Sequence, residues 1–365
     1  MKLKIAGGCG EHGRNCFLVE NGDNTFMVDC GIMAGSDDPF PRLTCEEIRR
    51  VKYLFLTHSH ADHTGAIPWI YEKGFCGLTV ASRCTLEQLP FTVKNAVSLE
   101  IICSGNSGKI GGIKLEYGRA GHCAGSVWYH FHSEKSSALF SGDYTENSPV
   151  YFCDNIRGRS AEFAVLDCAY GNDERNYTGC CDEIVTAVRQ LKKQYETLFF
   201  PVPKYGRGIE LLKLLRENFL EYVCCADAHF LEQLCSIPDN LYWYKSAVCT
   251  ALEYEPNLRC DILFLSDPQL RSENSQAAAQ RVIHDGGCGV MTGTVEHGSF
   301  SEKLIQDGRM KPVRYPVHQN YKEYKLLAEH NDFQRVIPYH SVEFPINPFF
   351  TCKSNIMHDS ISACF

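Results

Sequence analysis

Metal-ligating side chains are concentrated in one short segment of the chain, residues 57–65, with the sequence THSHADHTG. The segment follows an apolar run and contains His58, His60, Asp62 and His63. Alternate side chains of an extended segment point to the same side, so His58 and His60 can bind one ion. Asp62 and His63 lie where the chain turns and therefore point elsewhere. Imidazole nitrogens and carboxylate oxygens suit Zn²⁺, Fe²⁺ or Mn²⁺, whereas a solvated polar loop, the alternative, rarely holds so many ligands after a buried strand.

Two further candidate ligands lie downstream, and each is flanked by glycine. His122 belongs to the sequence AGHCAGS at 120–126, and Asp143 belongs to FSGDY at 140–144. Taken alone, each residue could belong to an ordinary turn, in which glycine and aspartate are common. Glycine also lets the backbone approach a bound group closely, and both residues follow the histidine cluster along the chain. We therefore expect His122 and Asp143 to join the same site.

Short apolar runs separated by glycine-rich turns are the elements that must position these residues. Their alternation predicts strands at 1–8, 15–20, 25–30, 51–57, 112–117, 127–132, 137–141 and 163–167. Helices are predicted at 44–50, where Thr44 and Glu47 form a capping box, and near 64–73. Strands at this density, with few helices, predict a sheet-rich α/β sandwich and not a doubly wound fold.

The pattern changes after about residue 175, where strands, glycine loops and helices alternate. Asp182 is the expected N-cap of the first helix, which carries an apolar stripe. Further elements are predicted as strands at 197–202, 260–266 and 288–292 and helices at 209–220 and 275–284. From about 316 we expect a strand, a helix at 321–330 and a strand at 335–338. This alternation predicts a parallel α/β unit followed by a return to the first sheet.

Composition limits the class of protein. The chain has 365 residues, of which 44% are hydrophobic and 22% are charged, and this balance predicts a globular protein of two domains. No apolar run approaches the ~20 residues of a membrane helix, and the N-terminus lacks the apolar stretch of an export signal. We therefore predict a cytoplasmic protein without membrane contact. The net charge of −8 argues against a broad basic nucleic-acid surface, so any such contact must be local or supported by bound cations.

Twenty cysteines could indicate disulfides or a cysteine-ligated metal. No C-x-x-C spacing occurs, and most cysteines lie in apolar runs, as Cys30, Cys168, Cys224 and Cys249 do. We interpret them as small buried hydrophobic residues in a reducing compartment.

The order of these motifs resembles the metallo-β-lactamase fold in its binuclear hydrolase form. The segments GCGEHGRNC at 8–16 and VDCG at 28–31 resemble the opening of its β-CASP branch, which includes RNase J-like and mRNA 3′-end-cleaving nucleases. Residues 200–212 resemble a β-CASP strand–loop–helix, and 291–299 resemble a second β-CASP segment. The resemblance implies an αββα sandwich interrupted by an inserted α/β domain. The implied boundaries are 1–175 and 316–365 for the sandwich and 176–315 for the β-CASP insertion.

The resemblance also implies roles for individual residues. It implies that one metal is held by His58, His60 and His122, that the other is held by Asp62, His63 and His340, and that Asp143 bridges both. His340 is followed by Ser341, where the family often has glycine.

Two motifs imply a proton donor and its partner. Asp167 matches the family's acidic motif, and His318 matches its histidine motif, although the surrounding residues depart from the usual form; a histidine that caps the following helix is the alternative. Lys204 and Arg207, on a glycine loop that opens a helix, are candidate phosphate ligands. A solvated loop with ordinary charges explains Lys204 and Arg207 equally well.

The chemistry expected of such a site is phosphodiester hydrolysis. Two divalent ions can lower the pKa of a shared water to about 7, and the resulting hydroxide attacks phosphorus while the ions neutralise charge. The resemblance implies that Asp62 holds a metal and is needed for catalysis, and His318, oriented by Asp167, can protonate the leaving alkoxide. We predict a nuclease of single-stranded nucleic acid, with RNA favoured over DNA and zinc favoured over manganese or iron.

Two other classes of protein remain as alternatives. One is a metallohydrolase of small esters, thioesters or lactones, which would not need an insertion of this size. The other is a catalytically silent partner subunit, which the complete set of candidate ligands disfavours. The sequence does not decide the oligomeric state, and a homo-oligomer stays open.

Overall fold

The computed structural model describes residues 1–134, 136–245 and 260–344, so the cysteine at position 249 and the last part of the expected return, 345–365, lie outside it. The chain forms two compact units. Of the described residues, the first unit comprises those within 1–147, 152–174 and 318–344, and the second comprises 148–151, 175–245 and 260–317. Within the described ranges, no helix combines the length and the apolar character needed to cross a membrane.

The first unit opens with a sheet whose strands lie side by side in chain order. Its strands are β1 (Lys2–Gly7), β2 (Cys16–Asn21), β3 (Asn24–Val28), β4 (Val51–Phe55), β5 (Leu78–Ala81) and β6 (Ala96–Ser98). The first three strands pair antiparallel, and β3 to β6 pair parallel. Its helices are α1 (Cys45–Arg50), α2 (Ala61–Thr64), α3 (Ile67–Glu72), α4 (Arg83–Gln88) and α5 (Leu99–Ile102).

A second sheet packs against the first. It contains β7 (Cys103–Ser104), β8 (Ser107–Ile110), β9 (Ile113–Arg119), β10 (Val127–His132), β11 (Ser137–Phe140) and β12 (Ser160–Asp167). On β4, Leu54 packs with Ile70 of α3, whereas the next residue, Phe55, contacts Phe131 of β10 with ring centroids 4.8 Å apart. Successive side chains of a strand point to opposite faces, so β4 separates a helical layer from the second sheet.

The second unit is a parallel α/β structure. Its elements are α6 (Tyr177–Leu191), β13 (Leu198–Pro201), α7 (Arg207–Asn218), β14 (Cys224–Ala226), α8 (Ala228–Cys235), β15 (Ile262–Leu265), α9 (Glu273–His284), β16 (Cys288–Met291), α10 (Phe300–Gln306) and β17 (Met310–Pro312). The strand order is β14-β15-β13-β16-β17, and the pairs are parallel. The expected cap of its first helix was wrong. The Asn176 side chain accepts a hydrogen bond from the Gly179 amide at 2.7 Å, so α6 begins one and a half turns before Asp182.

The chain then returns to the first unit through α11 (Tyr321–Glu329) and β18 (Asp332–Tyr339). Strand β18 pairs parallel with β12 and extends the second sheet. Leu327 of α11 packs with Leu166 and Val336 on the outer face of this sheet. The first unit is therefore layered helix–sheet–sheet–helix. The strand expected at about 316 was wrong, since the described residues between β17 and α11 form none; Pro316, which has no amide hydrogen, lies in this stretch.

The segment after β3 is hydrogen-bonded along its length to the segment that carries α2. The Cys30 amide donates to the His63 carbonyl at 2.7 Å, and the Ile32 amide donates to the Ala61 carbonyl at 3.0 Å. Gly31 lies between these bonds, and a Cβ placed there would be 1.6 Å from the Asp62 carbonyl oxygen. Position 31 therefore requires glycine, because the backbone at Asp62 lies too close for any side chain.

We predict that Gly31→Ala destabilises the protein by about 1–3 kcal/mol or more, because the added methyl group must push the Asp62 backbone away. Thermal unfolding followed by circular dichroism measures the effect. Gly22→Ala is the control: Gly22 has a φ of +57° and no atom within 4 Å of the added Cβ, so this substitution tests backbone strain without crowding. Equal melting temperatures for the two variants would contradict the prediction.

Candidate metal centre

The candidate residues lie at the carboxyl ends of neighbouring strands. The segment 58–63 follows β4, Asp143 follows β11, Asp167 ends β12 and His340 follows β18. Strands β11, β12 and β18 are parallel, so the residues after them meet at one edge of the second sheet. This layout brings together side chains that are up to 282 positions apart in the sequence, since it joins residue 58 to residue 340.

One group of ligand atoms consists of His58, His60, His122 and Asp143, all within 4.8 Å of one another. His122 Nε2 lies 3.2 Å from His60 Nδ1 and 3.5 Å from Asp143 Oδ2. His58 Nε2 lies 3.6 Å from the same carboxylate oxygen. The nitrogens of three imidazoles and one carboxylate oxygen therefore face a common point.

A second group consists of Asp62, His63, His340 and, again, Asp143. His63 Nε2 and His340 Nδ1 lie 3.1 and 3.3 Å from Asp143 Oδ1. His340 Nε2 lies 3.1 Å from Asp62 Oδ2. Asp143 therefore presents one oxygen to each group, which is the arrangement that a carboxylate bridging two ions requires.

Asp29 orients the second group, and the sequence reasoning did not single it out. Its Oδ2 atom lies 2.8 Å from His63 Nδ1 and accepts a hydrogen bond from Thr57 Oγ1 at 2.8 Å. Its Oδ1 atom accepts from the Thr57 amide at 2.8 Å. Because Nδ1 of His63 is held by this carboxylate, Nε2 is directed toward Asp143. The sequence signal was a polar residue directly after a buried strand, next to the strand that carries the histidine cluster.

Tyr339 supports the shared carboxylate from the other side and was also missed. Its hydroxyl donates a hydrogen bond to Asp143 Oδ1 at 3.0 Å, and it precedes the candidate ligand His340. Burial and the charge of Asp143 raise the pKa of Tyr339 well above its usual value, so it remains a neutral donor. At the end of an apolar strand, a tyrosine is not distinguishable from an ordinary core residue by sequence alone.

The cluster carries strongly perturbed charges. Burial would raise the pKa of Asp143, but His63 and His340 hold it well below its usual value. Burial likewise opposes the ionisation of Asp62, and again His63 and His340 keep its pKa low. In return, the carboxylates raise the pKa of His63 and His340 against the effect of burial. Buried carboxylates here stay ionised only because positive charge surrounds them.

The donors present fit divalent cations. His58 Nε2 and both ring nitrogens of His340 are buried without a hydrogen-bond partner, although buried polar atoms are normally paired. These atoms face carboxylate oxygens, and burial and nearby His63 lower the pKa of His58 well below its usual value, which favours the neutral form that binds metals. Imidazole and carboxylate donors of this number suit Zn²⁺ and related transition-metal ions.

His340 is held in an unusual backbone conformation. Its φ is +70°, in the left-handed region that favours glycine. Its amide donates to the Gly8 carbonyl at 2.6 Å, and His12 Nδ1 lies 3.0 Å from the His340 carbonyl oxygen. The His12 ring also stacks on the His340 ring with centroids 4.3 Å apart. The glycine-rich opening segment therefore positions a residue near the other end of the described chain, a role for His12 that the sequence did not indicate.

His318 and Asp167 form a pair beside the shared carboxylate. His318 Nδ1 lies 2.7 Å from Asp167 Oδ2 and 3.9 Å from Asp143 Oδ2. Burial opposes ionisation of Asp167, but His318 lowers its pKa to about 2. The alternative in which His318 caps the following helix was wrong, because Asn320 caps α11 by accepting from the Glu323 amide at 3.0 Å.

The two candidate phosphate ligands belong to the second unit. Lys204 is exposed, and its ammonium lies 5.7 Å from the centre of the Tyr205 ring. Arg207 is the first residue of α7, and its guanidinium lies against Gly293 so closely that a Cβ there would be 2.0 Å from Nη2. Phosphate binding by Lys204 and Arg207 stays a prediction.

Several known proteins have sequences similar to that of this chain. "Transcription termination factor FttA" of Methanothermobacter thermautotrophicus is 26% identical over 68% of this chain and 44% of its own length. "RNase aCSPSF2" of Saccharolobus solfataricus is 27% identical over 60% of this chain and 49% of its own. "Cleavage and polyadenylation specificity factor 73" of Drosophila melanogaster is 24% identical over 60% and 36%. The chain thus spans half or less of the length of these relatives.

Structural and family comparisons agree with the layered fold. A protein of unknown function from Enterococcus faecalis V583 shares the fold with a TM-score of 0.61 over 94% of each chain, at 11% identity. Residues 9–187 match the family described as "Metallo-beta-lactamase superfamily". The fold class predicted from the sequence is confirmed. This chain therefore contains a metallo-beta-lactamase superfamily domain, and the curated relatives that it matches are members of the β-CASP branch.

Proposed function

We propose that this protein is a metal-dependent phosphodiesterase that cleaves single-stranded RNA. The observation that carries the proposal is the pair of His/Asp groups that share Asp143, with the His318–Asp167 pair directly beside them. We assign His58, His60 and His122 to one divalent ion and Asp62, His63 and His340 to the other. The names of the relatives, which refer to an RNase, to cleavage and polyadenylation and to transcription termination, support RNA as the substrate.

Two divalent ions, when bound, supply a water of lowered pKa and neutralise charge on the scissile phosphate. Zinc is the metal that we propose, and manganese and iron are the alternatives that the same donors accept. Asp29 and Tyr339 hold His63 and Asp143 in the positions that this chemistry needs. Their contacts are made by buried side chains, which keeps the ligand atoms in place before substrate arrives.

The proton that the leaving alkoxide needs is assigned to His318. Its Nδ1 atom is held by Asp167 at 2.7 Å, so Nε2 is the nitrogen left to face a substrate. The Tyr144 amide fixes the Asp167 carboxylate by donating a hydrogen bond to Oδ2 at 2.9 Å. Asp167 is in this assignment a positioning residue, and His318 is the general acid.

The direct test is cleavage of 5′-labelled single-stranded RNA and matched DNA by purified protein loaded with Zn²⁺ or Mn²⁺. Asp62→Asn should lower cleavage by at least about 100-fold, because it removes a carboxylate that faces His340 at 3.1 Å. Asp182→Asn, which changes an exposed residue of α6 in the same chemical way, should leave cleavage unchanged.

The outcomes separate the possible functions. RNA cleavage by the wild type and the Asp182 variant, but not by Asp62→Asn, supports the proposal, and the product ladder shows the direction of attack. Cleavage of DNA alone would reassign the substrate. Hydrolysis of a small thioester or lactone without cleavage of either strand, in protein with bound metal, would favour the small-ester hydrolase. No hydrolysis of any substrate by metal-loaded protein would favour a silent or partner-dependent subunit.

We predict that His318→Gln lowers RNA cleavage by about 10²–10⁴-fold, because the leaving alkoxide then lacks its proton donor. The same variant should lose less than about tenfold on bis-para-nitrophenyl phosphate, since nitrophenolate leaves without protonation. His330→Gln, at an exposed position after α11, is the control. Equal losses on the two substrates would assign His318 to structure or to metal binding instead of proton transfer.

A further inference from the structure

Another group of metal-ligating side chains lies on the second sheet, outside the centre described above. It consists of Glu116 of β9 with His130 and His132 of β10. Glu116 is the direct cross-strand partner of His130, and His132 follows two residues later, so all three lie on one face of the sheet. The Val127 amide, at the start of β10, donates to the Thr57 carbonyl beside the first centre. A strand rises about 3.3 Å per residue, so His130 and His132 lie roughly 10–17 Å further along β10 from that centre.

The geometry of this group is that of three donors converging on one point. The three ligand atoms lie within 4.8 Å of one another, and His132 Nε2 is 3.4 Å from Glu116 Oε1. The two imidazole rings have centroids 4.0 Å apart. His130 is 4% exposed, and the buried Nε2 atoms of both histidines make no well-aligned hydrogen bond, although His132 Nε2 lies beside Glu116 Oε1. Unpaired buried nitrogens are costly, and a bound cation would satisfy them.

A neighbouring arginine contacts the group. Arg159 Nη1 donates to Glu116 Oε2 at 2.7 Å and lies 3.4 Å from His130 Nδ1. Its guanidinium also stacks over the Trp128 ring at 4.4 Å. The Arg159 bond uses Oε2 of Glu116, so Oε1 is left to face His132 Nε2 at 3.4 Å. Arg159 therefore orients the Glu116 carboxylate.

We propose that Glu116, His130 and His132 bind a divalent transition-metal ion, with Zn²⁺ as the ion that suits two imidazoles and one carboxylate. The three side chains come from two adjacent strands, so the ion would link β9 to β10 at the end of the sheet away from the first centre. Protein ligands fill three positions, which leaves a fourth for water. The site does not depend on the proposed function, because none of its ligands belongs to the groups around Asp143.

The test counts bound metal. Metal-depleted protein is loaded with Zn²⁺, freed of excess by gel filtration and assayed by elemental mass spectrometry. His132→Gln and Glu116→Gln should each hold one ion per chain fewer than the wild type. His284→Gln is the matched control, because His284 is an exposed histidine whose contact is with Asp285. All of these chains carry the same cysteines, so zinc bound to thiols cancels in the comparison.

A deficit of one ion in both site variants, with none in the control, supports the site. Equal zinc content in all four proteins overturns it, whatever the first centre holds. Circular dichroism identifies a variant that has not folded, and His132 is suited to substitution because its side chain is 32% exposed. As a second measurement, added Zn²⁺ should raise the melting temperature of the wild type more than that of folded Glu116→Gln; an equal rise would also count against the site.

Discussion

Asp143 is a buried carboxylate. Removing its charge from water costs free energy, so the surrounding side chains must supply positive charge and hydrogen-bond donors. Its two oxygens are divided between two sets of imidazoles, and a tyrosine hydroxyl supplies a further donor. Each surrounding residue is held in turn by another, as Asp29 holds His63 and Asp167 holds His318. Removal of positive charge from this network would leave uncompensated buried carboxylates, so the network is expected to act as one unit.

This network can form because strands of both sheets end at the same edge of the sandwich. Buried strands supply rigid positions, while the loops after them carry the polar residues that could not lie within a sheet core. Close approach between these loops is possible where side chains are absent, as Gly31 illustrates against the Asp62 carbonyl. Backbone strain occurs where the candidate metal-binding atoms must converge, and His340, with a φ of +70°, is the clearest case.

The sequence predicted the site where several metal-binding residue types are adjacent in the chain. It did not predict the roles of common residues that come together only in the folded structure. The cluster from His58 to His63 has few other interpretations, and the family resemblance that it supported is confirmed. Asp29 and Tyr339 resemble a turn residue and a core residue, so their roles emerge only when the strands are paired. The cap at Asn176 was missed because Asp182, a residue of the same capping class, stands nearer to the apolar stripe. Ligand roles for the site residues remain proposals.

The return of the chain to β12 has a consequence for synthesis on the ribosome. His318 and His340 reach the site only after the whole second unit, residues 175–317, has been made. A nascent chain can form the first sheet and present His58, His60 and His63 long before β18 is available to pair. Until then Asp143 lacks its contacts with His318, Tyr339 and His340, and the candidate metal centre is incomplete. The order of the chain thus delays completion of the candidate metal centre until both units have been synthesised.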